Sequence, residues 1–205
     1  MSRRDGRGAG ARPSRSVKLV LLGDAGVGKS SLAQRFVAGS FKPYNESTVG
    51  ASFMSKLVMV DDTPFKYQIW DTAGQEKYRS LAPMYYKGAA ACVLVYDITK
   101  PHTFETLKDW VAELQTHGPK DIVITIAGNK ADLAVKRKVD AASAQSFAET
   151  VGAEFVETSA KDDLNVAQVF NNLARRLPVL EEPRPSDSVS LGQTPRSQQN
   201  QRGCC

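Results

Sequence analysis

Apolar residues along this chain follow two rhythms. Short apolar runs, Val17-Lys-Leu-Val-Leu-Leu22, Ala89-Ala-Ala-Cys-Val-Leu-Val-Tyr96 and Ile122-Val-Ile-Thr-Ile-Ala127, read as strands covered on both faces. Between and after them the spacing becomes helical. Leu32 and Phe36 lie four apart in 31–38, which Gly39 closes as a C-cap. Pro101 opens a helix carrying Phe104, Leu107, Val111 and Leu114 on one stripe, and Asp140 caps another with Ala144, Phe147 and Val151. A strand over 153–158 precedes a helix lined by Val166, Val169, Phe170, Leu173 and Leu177, which Pro178 stops. The β-rich segments 52–61 and 65–70, split by the turn cluster Asp61-Asp-Thr-Pro64, read as an antiparallel hairpin. Strands alternating with helices predict a mostly parallel, doubly wound α/β sheet. The hairpin gives it one antiparallel edge strand, and helices cover both faces.

Composition adds the limits. A chain of 205 residues, 41% hydrophobic, suits one domain with tails. No apolar run reaches the ~18 residues of a spanning helix. No apolar stretch follows Met1-Ser-Arg-Arg, so neither a secretory signal nor, with serine second, N-myristoylation is expected. The formal net charge of +5 is uneven: residues 1–16 hold five Arg against one Asp, whereas residues 179–205 balance three basic against three acidic residues. The expected organisation is a disordered basic arm at 1–16, a folded domain at 17–178 and a flexible tail at 179–205. Such an arm is either solvated or an anchor for acidic lipid or nucleic acid. Cys92 sits in an apolar run as a core thiol, and three cysteines fit no disulfide framework or zinc spacing.

The candidate chemistry lies at strand ends. Gly23-Asp-Ala-Gly-Val-Gly-Lys-Ser30 is a GxxxxGK[ST] loop between a strand and a helix, the context that a phosphate-binding loop requires. Its glycines let successive N–H groups face one anion, and the helix N-terminus adds positive potential. Lys29 would reach the β- and γ-phosphates, and the Ser30 hydroxyl would ligate Mg²⁺. Asp71-Thr-Ala-Gly-Gln-Glu76 supplies an acid to hold the metal through water, a Gly74 N–H for the γ-phosphate and Gln75 to orient an attacking water. In Gly128-Asn-Lys-Ala-Asp132 a carboxylate can accept from the N1–H and 2-amino group of guanine. Adenine would leave it unpaired, a discrimination on the order of 10⁴. Thr158-Ser-Ala160-Lys161 offers a backbone N–H to the guanine O6.

With these four motifs in order, residues 17–178 closely resemble a small Ras-like GTPase. The resemblance implies that the cofactor-binding set is Gly23, Ala25, Gly26, Val27, Gly28, Lys29, Ser30, Ser31, Phe41, Thr48, Gly74, Asn129, Lys130, Asp132, Ser159, Ala160 and Lys161. Ser30, Thr48 and Asp71 would serve the metal, with Gln75 and Lys29 catalytic. Phe41 would stack on the guanine and Thr48 would sense the γ-phosphate; as plain sequence they read equally as a packing residue and a β-former. One departure is Ala25, where many members carry glycine. Tyr67-Gln-Ile-Trp-Asp-Thr-Ala-Gly-Gln-Glu-Lys-Tyr78, Tyr85-Tyr-Lys-Gly88 and the final Cys-Cys look like a Rab. Leu81-Ala-Pro-Met-Tyr-Tyr86, Ala51-Ser-Phe53 and Gly128-Asn-Lys-Ala-Asp-Leu133 are similar to the early-endosomal branch.

That likeness implies an effector surface at Phe53, Trp70 and Tyr85, which local packing of the hairpin would also explain. It further implies geranylgeranylation of Cys204 and Cys205, in place of an inert or a redox pair. GTP, GDP and Mg²⁺ follow as ligands. The implied partners are an exchange factor, an activating protein, chaperones of the prenyl-delivery and GDP-dissociation-inhibitor kinds, and effectors. The implied location is the cytoplasmic face of endosomal membranes with a cytosolic pool, without a nucleic-acid partner. Two other classes remain open to the motifs alone: a P-loop metabolite kinase, which would need a lid and an acceptor site, and a nucleotide-binding scaffold without hydrolysis.

Overall fold

Six strands, β1 (Arg15–Leu22), β2 (Ala51–Val60), β3 (Thr63–Thr72), β4 (Ala91–Asp97), β5 (Val123–Asn129) and β6 (Glu154–Thr158), form one sheet in the order β2-β3-β1-β4-β5-β6. The structure, a computed structural model, describes residues 14–44 and 46–178. All neighbours pair in parallel except β2 with β3, so the expected mixed sheet with an antiparallel edge is present. The helices are α1 (Lys29–Ala38), α2 (Ala82–Tyr86), α3 (Pro101–His117), α4 (Ala141–Thr150) and α5 (Val166–Arg176). Among the described residues no helix is long and apolar enough to cross a membrane.

Two apolar layers flank the sheet. On one face Leu32, Ala33 and Phe36 of α1 and Val166, Val169, Phe170 and Leu173 of α5 pack on Leu19, Leu21, Tyr67 and Ile69. Phe36 stacks on Phe170 with centroids 3.7 Å apart, and the buried Tyr67 hydroxyl donates to Phe170 O at 2.6 Å. On the other face Leu107, Trp110, Val111 and Leu114 of α3 and Ala144 and Ala148 of α4 meet Val20, Leu22, Cys92 and Leu94. Cys92 is the expected core thiol, its pKa pushed up by burial.

Several boundaries differ from the sequence reading. Arg15 and Ser16, assigned to the arm, pair with Phe65 and Lys66 and so belong to β1. The hairpin turn is only Asp61-Asp62, both at positive φ (47° and 60°), a pair of left-handed residues whose twist matches the flanking strands. Pro64 therefore lies inside β3. It is tolerated because β1 pairing begins one residue later, at Phe65, so no neighbouring strand is deprived of an N–H there. Asp71 and Asn129 lie within the ends of β3 and β5 instead of in the loops that follow. The 3₁₀ turns Glu76–Leu81 and Ala131–Lys136 and the short α2 carry no periodicity long enough to have been expected. Asp140 does cap α4, accepting from the Ser143 N–H at 2.9 Å. The tail at 179–205, with Cys204 and Cys205, lies outside the described residues, as does the arm up to residue 13.

Candidate functional site

Because every parallel strand points its carboxyl end the same way, the loops after β1, β3, β5 and β6 gather on one edge of the sheet. They enclose a cavity of ≈ 500 Å³ with Gly26, Gly28, Lys29, Ser30, Ser31, Phe41, Thr48, Asn129, Lys130, Asp132, Ala160 and Lys161 on its wall. Lys42, Pro43, Glu46, Ser47 and Leu133 also line it; their residue types carried no signal in the sequence.

The phosphate loop is held from three sides. The Lys29 ammonium donates to Gly23 O at 2.8 Å and to Asp24 O at 2.9 Å, closing the loop on itself. Burial lowers its pKa to about 8, with Asp71 and Asp24 opposing the shift. Asn129 Nδ2 donates to Val27 O at 2.8 Å, and its Oδ1 accepts from Thr158 Oγ1 and from the Ala160 N–H. Lys130 Nζ donates to Gly26 O at 2.7 Å and pairs with buried Asp97 at 2.7 Å. Burial would raise the Asp97 carboxyl, yet Lys130 and Thr99 hold it below the usual range. The sequence reading missed Asp97, whose only mark was an acid ending an apolar strand. Gly28, at φ 100°, leaves room for Asn129: a Cβ there would lie 2.3 Å from Asn129 Nδ2.

Some expected ligand residues take other positions. Val27 is fully buried in the core beneath α1, so only its backbone can serve the loop. Gly23 is tucked against β4, where a Cβ would meet Val95 O at 2.1 Å. Ala25 is exposed and its N–H donates to Asp24 Oδ1. Ser159 is buried, and its hydroxyl donates to Asp132 Oδ1 at 2.7 Å: it orients the acid without lining the cavity. Lys161 Nζ stands 4.0 Å from Asp132 Oδ2. The Ala160 N–H, the nearest match to the expected O6 donor, is directed at Asn129 Oδ1 at 3.3 Å.

At the opposite end of the cavity the Ser30 and Thr48 hydroxyls are 2.9 Å apart. Adjacent ligands of an octahedral ion bound at ~2.1 Å are separated by ~3 Å. Asp71, 1% exposed, has an Oδ1 with no hydrogen-bond partner. Burial raises its pKa, while the Ser30 hydroxyl, Lys29 and the Ser52 hydroxyl counter the rise. Two hydroxyls at octahedral spacing beside an unpartnered buried carboxylate oxygen suit a hard divalent ion that keeps most of its waters. Among the described residues no His/Cys/Asp/Glu cluster competes for a softer metal.

Gly74 lies where a Cβ would stand 2.4 Å from both Lys29 Nζ and the Asp24 backbone, so its peptide lies directly against the phosphate loop. Gln75 does not line the 500 Å³ cavity; with Gly74, Asp24, Tyr85 and Trp110 it lines a second one of ≈ 200 Å³. The aromatics form a contiguous row, Phe53 to Trp70 at 5.5 Å and Trp70 to Tyr85 at 5.9 Å between centroids. Phe53 is 54% exposed, which packing within the hairpin alone does not require.

Fold and site together define a P-loop nucleotide-binding protein. The sequence model of the Ras family matches residues 18–179. The Ras-related protein Rab-22A of Canis lupus familiaris is 50% identical over 191 residues, 93% of this chain and 98% of the relative. The Homo sapiens and Mus musculus Rab-22A proteins are each 49% identical with the same coverage. The chain belongs to the Ras family, among its Rab GTPases. It hydrolyses GTP to GDP and phosphate, takes GTP or GDP with Mg²⁺, and works in membrane trafficking with regulators and effectors of the Rab kind. Neither the metabolite kinase nor the non-hydrolysing scaffold is supported by that membership.

Proposed function

We propose that residues 15–178 are a switch in which Ser30 and Thr48 hold Mg²⁺ directly, Asp71 holds it through water, and Asp132 reads guanine. The Ser30–Thr48 pair beside the unpartnered Asp71 Oδ1 is the observation that carries this assignment. Bound Mg²⁺ supplies positive charge at the β- and γ-phosphate oxygens. Lys29 and the loop N–H groups from Gly26 to Ser31 cradle those phosphates, and Phe41 stacks on the base. Gly74 offers its N–H to the γ-phosphate, and Gln75 swings from the neighbouring cavity to hold the attacking water. Asn129, Lys130 and Ser159 position the loops, while Ala160 and Lys161 close over the base. Loss of the γ-phosphate frees Thr48 and Gly74, and the Phe53–Trp70–Tyr85 row then loses the shape that effectors read. An arginine supplied by an activating protein would complete the charge stabilisation, so unaided turnover is slow, on the order of 10⁻⁴ to 10⁻³ s⁻¹.

Ser30→Asn tests the metal half. It replaces one of the paired hydroxyls with a larger amide, and the affinity gain that Mg²⁺ gives GTP is expected to fall by at least about tenfold. Nucleotide release measured with Mg²⁺ and with a chelator reads this directly. Equal dependence on Mg²⁺ in Ser30→Asn and the unaltered chain would remove Ser30 from the metal site.

For location, we propose the cytoplasmic face of endosomal membranes, with Cys204 and Cys205 both geranylgeranylated and with prenyl-delivery and dissociation-inhibitor chaperones handling the cytosolic pool. The support is the sequence likeness and the energetics: one acyl chain the size of myristoyl anchors only marginally, and firm attachment takes a second signal. We assign no nucleic-acid partner. Cys204→Ser with Cys205→Ser is expected to leave the protein wholly cytosolic with normal GTP binding. Membrane fractions that still hold the double variant would overturn the lipid assignment.

A further inference from the structure

The segment that carries Asp132 hangs from the end of β4. The Ile98 N–H donates to Asn129 O at 3.1 Å, and Ile98 O accepts from the Lys138 and Val139 N–H groups at 2.9 and 3.0 Å. Between those anchors runs the 3₁₀ turn Ala131–Lys136, with Asp132 in its first turn. These are backbone ties, open to almost any residue. Asp97, the last residue of β4, adds a tie through its side chain. It is 1% exposed, and its two carboxylate oxygens face different groups. Oδ1 accepts from the Thr99 N–H at 2.9 Å and from the Thr99 hydroxyl at 2.7 Å, while Oδ2 stands 2.7 Å from the Lys130 ammonium.

Lys130 in turn joins two loops. Its backbone is left-handed, at φ 69°, a conformation that a residue with a side chain keeps only with outside support. Its Nζ crosses to Gly26 O at 2.7 Å, and the neighbouring Asn129 Nδ2 takes Val27 O at 2.8 Å. Two successive carbonyls of the phosphate loop are thus held from the end of β5. The Lys130 ammonium is where β4, the Asp132 segment and the phosphate loop meet. A buried ion pair seldom adds net stability, because both charges lose water; what it can add is one preferred arrangement. We propose that Asp97 is a positioning residue for nucleotide binding. By holding the Lys130 ammonium against Gly26 O, it sets the Asp132 segment and the phosphate loop at one separation, so that both ends of the nucleotide are gripped together. This rests on the reading of Asp132 as the acid that meets guanine. Asp97 does not line the nucleotide cavity; Lys130, through which it acts, does.

Asp97→Asn isolates the charge. The amide keeps the shape of the carboxylate, and its oxygen can stay with the Thr99 N–H and hydroxyl, which turns its NH₂ toward the Lys130 ammonium. An ion pair becomes donor against donor. Release of GDP carrying a fluorescent group on its ribose, followed in excess unlabelled GDP, is expected to be about ten- to a hundredfold faster than in the unaltered chain. The acceleration should appear with Mg²⁺ and with a chelator alike, since the pair is separate from the Ser30 and Thr48 hydroxyls. Lys130→Met is expected to speed release as well. Asp97→Asn added to it should bring no further acceleration, because the carboxylate then has no ammonium to hold. An unchanged release rate in Asp97→Asn overturns the proposal. So does an equal added acceleration in the Lys130→Met chain, which would make Asp97 a structural residue that acts without Lys130. One measurement needs no change at position 97. In the unaltered GDP-bound chain the Lys130 ammonium resonance in nitrogen NMR, assigned by its loss in Lys130→Met, is expected to show slowed proton exchange. Exchange as fast as that of the exposed lysines overturns the proposal even where Asp97→Asn does not fold. An unaltered chain that releases ADP no faster than GDP would instead overturn the guanine reading, a separate outcome.

Discussion

Asp132→Asn is expected to lower GTP affinity by about 10²- to 10⁴-fold while improving the binding of xanthosine triphosphate. The range follows from two hydrogen bonds to a charged acceptor at ~1.5–3 kcal/mol each. Guanine presents two donors, N1–H and the 2-amino group. The amide meets them with one acceptor and one donor, so one contact becomes donor against donor. Xanthine carries a 2-oxo group there and restores the match. The structure indicates why the loop should survive the change. Ser159 Oγ donates to Asp132 Oδ1, and the Asn Oδ1 can accept that same bond, leaving its NH₂ at the Oδ2 position toward the base. Only the 4.0 Å approach of Lys161 is lost. Competition of GTP, xanthosine triphosphate and ATP for the two proteins measures the effect. If the variant still prefers GTP as strongly as the parent does, guanine is read by some other group.

Gln75→Leu is expected to leave GTP binding unchanged and to slow hydrolysis on the order of 10²-fold, the usual cost of losing an oriented reactant. Gln75 precedes the Glu76–Leu81 turn in extended conformation and lines the smaller cavity, next to Gly74. Leucine has nearly the same volume there, and the nucleotide cavity does not include this side chain. The residues proposed to bind nucleotide, from Lys29 through the Ser30–Thr48 pair to Asp132, are untouched. What disappears is an amide able both to donate to and accept from water. Single-turnover phosphate release, with and without an activating protein, separates binding from chemistry. Equal rates for both chains under both conditions would remove Gln75 from the mechanism.

These two residues also mark how far sequence reaches. Both sit in short acidic motifs at the ends of strands, recognisable because a glycine loop between strand and helix precedes them in the chain. Long segments with a sustained period, such as α3 and α5, were equally legible because burying one stripe or face leaves a repeated mark on the chain. The alternation of strand and helix then constrained the topology, since parallel neighbours need crossovers.

What the chain pattern did not contain were relations between distant residues. Asp97 matters because β4 and β5 lie side by side and place it 2.7 Å from Lys130. Asn129 proved to be a strut between the loops after β1 and β6, a role that no local spacing encodes. Val27 and Ser159 stood inside nucleotide motifs, yet one filled the core and the other turned to Asp132. The short 3₁₀ turns around Gln75 and Asp132 span too few residues to show a period, and neighbouring loops hold them in place. Sequence by itself therefore determined the fold class, the glycine loop between β1 and α1 and the acidic loop after β5, since each is written in local order and hydrophobic period. Tertiary structure alone decided which polar groups meet across the sheet, because those contacts depend on packing between segments far apart along the chain.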